Sequence, residues 1–125
     1  MSITRTAVSA ARVATDARLR GATVGVVEGR AEKRALLAAI GRALRFPSYY
    51  GVNLDALEEC LRDLSWLPAG EVVLVWDGSE ALRAADPMAH RGLLEVLAAA
   101  TEQTAAGDRP VRAMLTGVSE RLAPE

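Results

Sequence analysis

Three runs of β-branched and apolar residues, each stopped by a glycine, limit what this chain can fold into: ATVGVVEG (22–29), EVVLVWDG (71–78) and VRAMLTG (111–117). Each has the length and composition of a buried strand, and glycine is a natural exit from a sheet. The segments between them carry helical period. AEKRALLAAIGRALRF sets Leu36, Leu37, Ile40 and Leu44 on one face, despite Gly41 inside it. Pro47 stops that helix near Phe46. DPMAHRGLLEVLAAATEQTAAG offers Asp86 as N-cap and Pro87 at the first helical position. Leu93, Leu94 and Leu97 form its buried face, and it stops at Gly107. Strands alternating with helices imply parallel pairing through right-handed crossovers, with helices covering the sheet. The expected fold is α/β: a small three-stranded parallel sheet packed by four or five helices. Residues 1–20, with Ala7, Val8, Ala11 and Ala14, read as an added amphipathic helix.

A chain of 125 residues, half of them hydrophobic, is enough for one core and too short for two, so residues 1–125 form one domain. The longest apolar run, Val72 to Trp76, is far below the roughly 20 residues of a membrane span. Arginines in the first twenty residues stand where a signal peptide needs its apolar centre, so no export signal is read. Cys60 is the only cysteine, which leaves no internal disulfide and no multi-cysteine metal site. The cysteine content fits a reducing cytoplasm; a cytoplasmic, cofactor-free protein, expected as a monomer, is the reading carried forward.

Net charge is −1, but its distribution is uneven. Residues 1–45 hold nine basic and three acidic side chains, whereas residues 46–82 hold Arg62 alone against seven acids. The acids centre on FPSYYGVNLDALEECLRDL (46–64), where Asp55, Glu59 and Asp63 recur every four residues and form a column on a helix. Like charges at that spacing cost roughly 0.2–0.5 kcal/mol per pair. Asn53 is a preferred N-cap, with Gly51 free to take the positive φ of a tight turn. Leu54, Leu57, Cys60, Leu61 and Leu64 then fall on one half of the wheel, and Asp55, Glu58, Glu59, Arg62 and Asp63 on the other.

An ordinary solvated face accounts for part of this pattern. Asp55 favours the helix dipole, and Glu58 and Arg62 are well spaced to pair. It does not account for the acid column, nor for Tyr49 and Tyr50 beside it. Four of the five aromatics lie within residues 46–66, and tyrosine is enriched at interfaces. A partner-binding surface answers both points.

The run Pro-x-Tyr-Tyr-Gly-x-Asn-Leu-Asp-Ala-Leu, followed by an acidic residue, Cys60 and Leu61, resembles the signature of the barstar family of ribonuclease inhibitors. The resemblance covers residues 22–116. It implies a non-enzymatic protein that plugs the active site of a basic microbial ribonuclease and protects the producing cell's RNA. The positions matching the family's principal contacts are Tyr49, Gly51, Asn53, Asp55 and Glu59. Glu58 and Asp63 complete the acidic surface expected to meet the partner. Glu59 stands where the best-known member has aspartate, and Glu58 where it has tryptophan. The late-helix acid falls at Ala99, with Glu102 one turn away as a substitute. An immunity protein against a different toxin keeps the same surface.

Other residues carry weaker alternatives. Asp77, after the second strand, reads as a turn or helix-capping residue, or as the ligand group of a small binding or enzymatic domain. His90 reads as a surface residue and Cys60 as a small buried hydrophobe. Trp66 fits either core or interface. The N-terminal arginines lack aromatic stacking platforms, so direct RNA binding is not expected.

Overall fold

A computed structural model describes residues 3–117. Its strands are β1 (Ile3–Arg5), β2 (Thr23–Glu28), β3 (Val72–Asp77) and β4 (Val111–Thr116). Its helices are α1 (Ala10–Leu19), α2 (Lys33–Ala43), α3 (Leu54–Asp63), α4 (Glu80–Ala85) and α5 (Pro87–Thr104). All strand pairs are parallel, in the order β1-β4-β3-β2.

The sheet therefore has four strands where the sequence led us to expect three. β1 is too short to carry a period of its own. The edge of β4 makes it a strand, with Ile3 opposite Ala113 and Arg5 opposite Leu115. The expected N-terminal helix is accordingly a strand followed by a shorter helix. That helix is capped by Ser9, whose hydroxyl accepts from the Arg12 N–H at 3.2 Å.

Chain direction decides which helix covers which face. From β1 the chain crosses to the opposite edge at β2, then steps back through β3 to β4. Right-handed crossovers thus put α1 on one face and α2–α5 on the other. Alternate residues of β3 record the division. Val73 and Val75 pack with Ala17 and Ala22 under α1, whereas Val72, Leu74 and Trp76 join the leucines of α2, α3 and α5. Every residue from Val72 to Trp76 is at most 1% exposed. On the larger face, Gly25 lets α2 lie close to β2, since a Cβ there would meet Leu44 at 2.8 Å.

α5 begins as expected, with the Asp86 carboxylate accepting from the Ala89 N–H at 3.1 Å. Its buried stripe is Ala89, His90, Leu93, Leu97, Ala100 and Thr104, a rotation that leaves Leu94 half-buried. The same rotation takes His90 off the surface. It is 8% exposed, its ring 5.6 Å from that of Trp76. Neither His90 Nε2 nor Trp76 Nε1 has a hydrogen-bond partner among the described residues.

Burial lowers the His90 pKa; Glu80 opposes that shift, while Arg5 and Arg83 add to it. The unfolded chain thus takes up a proton below about pH 6.5 that the folded chain declines. This group's contribution to stability falls as pH drops through that value and levels off below the folded pKa. Urea unfolding between pH 7.5 and 5 should show a loss of up to about 1.4 kcal/mol per pH unit from this residue. His90→Gln should remove that part of the slope, and an unchanged slope would assign it to other groups.

Candidate functional site

The site begins where α2 ends. Arg45 takes a left-handed φ of 58°, and the Phe46 N–H reaches back to the Gly41 carbonyl at 2.8 Å. With Arg45 N–H on the Arg42 carbonyl at 3.3 Å, this is a Schellman stop with arginine in the usual glycine place. The Trp66 indole N–H donates to the Leu44 carbonyl at 2.9 Å, satisfying another group at that helix end. Phe46 meets Trp66 and Tyr50 edge-to-face, at centroid distances of 5.7 and 4.8 Å.

Tyr50 returns the chain onto α2. Its hydroxyl donates to the Leu37 carbonyl at 3.0 Å, and its ring lies over Gly41. A Cβ at Gly41 would come within 2.9 Å of that ring, which explains a glycine inside a helix. Burial, and secondarily Cys60, raise the Tyr50 pKa to about 12, so the donor stays protonated. Three of the four clustered aromatics therefore brace the loop from within. Only Tyr49 projects, at 73% exposed. The left-handed turn residue is not Gly51 but Val52, with φ 52°.

α3 starts at the expected cap. Asn53 Oδ1 accepts from the Ala56 N–H at 2.8 Å, and its amide approaches the Gly51 carbonyl at 3.4 Å. Leu57, Cys60 and Leu61 turn inward, while Asp55, Glu59 and Asp63 are exposed in one column. None of the three acids makes an ion pair among the described residues. Tyr49, Gly51, Asn53, Asp55, Glu59 and Asp63 share the wall of one open concavity of about 690 Å³. Cys60 lies at its edge, buried as expected. Burial first, then Asp63 and Glu59, push its pKa up, so the thiol stays protonated.

Glu58 stands apart. It is half-buried on the flank toward α5, where Gln103 Nε2 donates to its Oε2 at 3.4 Å. The expected Glu58–Arg62 pair does not form; Arg62 lines the concavity beside the acids. From α5 it is Gln103 that reaches α3, while Glu102 is exposed and Ala99 half-buried. Sequence reasoning missed Gln103, because contacts between helices leave no period within either one. It also missed the Tyr50 brace, for which Gly41 in the leucine stripe was the available signal.

Asp77 is neither a helix cap nor open to a ligand on its bonded side. Its Oδ1 accepts from the Thr116 hydroxyl at 2.8 Å, tying β3 to β4. Ser79, not Asp77, precedes α4 as its N-cap. Among the described residues no group of three or more His, Cys, Asp or Glu is placed to hold a metal ion, and no helix is long and apolar enough to cross a membrane.

The brace makes a testable demand. Gly41→Ala gains about 1 kcal/mol of helix propensity but drives a methyl into the Tyr50 ring. It should lower stability in denaturant unfolding and shift the backbone resonances of residues 49–53. Tyr50→Phe should keep the ring in place and cost about 1 kcal/mol. A stabilised Gly41→Ala with unmoved loop resonances would mean that the contact is slack.

No curated protein matches the chain. The family model described as Barstar (barnase inhibitor) matches residues 26–116. That span runs from within β2 to the end of β4 and takes in the braced loop, the acidic column and α2–α5. β1 and α1 lie before it. By this match over well more than half its length, the chain belongs to the barstar family.

Proposed function

We propose that this protein inhibits a basic ribonuclease by seating the Tyr49–Asp63 surface in the enzyme's RNA-binding cleft. The observation that carries this reading is the exposed column of Asp55, Glu59 and Asp63, none paired with a cation among the described residues, beside an exposed tyrosine on a braced loop. Carboxylates one helical turn apart, roughly 6 Å, have a spacing comparable to successive phosphates on a nucleic-acid strand. A cleft that grips polyanion accepts them. Tyr49 packs on the rim of that cleft, and Asp55 and Glu59 approach its phosphate-binding cations. The work is steric and electrostatic, with no bond made or broken, and it takes place inside the producing cell.

Asn53 and Gly51 serve this surface mainly through shape. Asn53 already spends its oxygen on the helix cap. Glu58, held by Gln103, flanks the contact on the α5 side. Its charge in place of an apolar ring favours a partner with a basic residue there, and the longer Glu59 reaches deeper than an aspartate would.

Activity assays against basic microbial ribonucleases should show 1:1 inhibition that weakens with salt, because exposed charges steer the encounter. Asp55→Ala and Glu59→Ala should each weaken it by roughly 30-fold or more, corresponding to the ~2–5 kcal/mol lost when one partner of a buried charge pair is truncated. That scale was set partly on barnase and barstar themselves, so it is borrowed from the family. Full inhibition retained by both variants would reject this surface. Binding to a toxin that does not cleave RNA, with the same mutational pattern, would keep the surface and replace the partner.

A further inference from the structure

The sheet ends at β2, six residues long, which among the described residues pairs only with β3. The Thr23 N–H donates to the Glu71 carbonyl at 2.9 Å. In a parallel ladder this phase turns the N–H and C=O of Thr23, Gly25 and Val27 toward β3, and those of Val24, Val26 and Glu28 outward. The Glu28 carbonyl is taken by Arg30 Nη1 at 2.7 Å. Among the described residues no turn or side chain supplies partners for the backbone of Val24 or Val26. Val26 is 40% exposed. An edge of this kind is a template for another strand.

Beside this edge lies a shallow cleft of about 440 Å³ between β2 and α2, whose wall includes Val26, Ala39, two bases, Arg30 and Arg42, and one acid, Glu28. Arg42 is exposed on α2. Neither Arg30 nor Arg42 is in an ion pair among the described residues. The charge decides between occupants. A second copy pairing antiparallel about Val26 would bring Arg42 of both copies to the seam, where like charges repel, while each Arg30 would face Ala22 of the other copy. An extended acidic segment meets the same cations with opposite charge.

We propose that the β2 edge is a second interaction surface. It would take an extended segment of a partner protein, with carboxylates on alternate residues, as an added strand. Backbone bonds to Val24, Val26 and the Glu28 N–H fix the segment. Its carboxylates lie on the α2 side, against Arg30 and Arg42. The surface is separate from the acidic concavity, with which its lining shares no residue.

Amide hydrogen exchange tests this, with a capped peptide alternating threonine and glutamate and a matched threonine–lysine peptide as probes. The acidic peptide should slow exchange at Val24, Val26 and Glu28, and the basic one should not. Arg42→Glu, at an exposed position, should weaken binding of the acidic peptide roughly three- to tenfold. Val26→Pro should abolish it, since the outward N–H is lost while pairing to β3 is spared. Equal protection by both peptides, no protection by the acidic one, or an unaltered Arg42→Glu variant would overturn the proposal. Protection that grows with protein concentration alone would overturn it in favour of self-pairing.

Discussion

The handedness of one crossover sets the plan of this molecule. Because β1 and β2 occupy opposite edges, the chain between them must cross a whole face of the sheet, and it does so with α1. All later helices are then confined to the other face. α1 buries little beyond Ala14 and Ala17 there, so the main core belongs to the opposite layer. In that layer α3 lies beside α2 and α5, its leucines inward and its acids outward. The acidic column is thus exposed by the fold as well as by its own composition.

Strong local signals placed most of this architecture. β3 could be read because five successive apolar residues, closed by a glycine, have no comfortable place except inside a sheet. α3 could be read because Asn53, Leu54 and the leucine spacing agree on one start and one buried face. The fourth strand could not, since β1 exists only by virtue of the β4 edge it pairs with. His90 shows the same limit in α5. A rotation of about one residue in the buried stripe exchanges an expected surface histidine for an expected core leucine, and only packing against Trp76 decides it.

The candidate site divides similarly. Composition marked the acids and the tyrosines as a group, and the acids do gather with Tyr49 around one concavity. Composition could not separate the tyrosines. One is a surface residue and the other a fastener, and that difference rests on a glycine nine residues upstream and a carbonyl thirteen residues upstream. Glu58 was grouped with its neighbours because a helical wheel has no knowledge of a second helix. Gln103 draws it toward α5, to the flank of the concavity.

Val52 carries a consequence of its own. A β-branched residue held left-handed costs roughly 1–2 kcal/mol relative to the ordinary basins, and the aromatic cluster and the Asn53 cap on either side maintain it. The segment between Tyr50 and Leu54 has therefore surrendered its conformational freedom during folding. Little entropy is left to lose when another surface covers it, so whatever docks there meets a shape already committed.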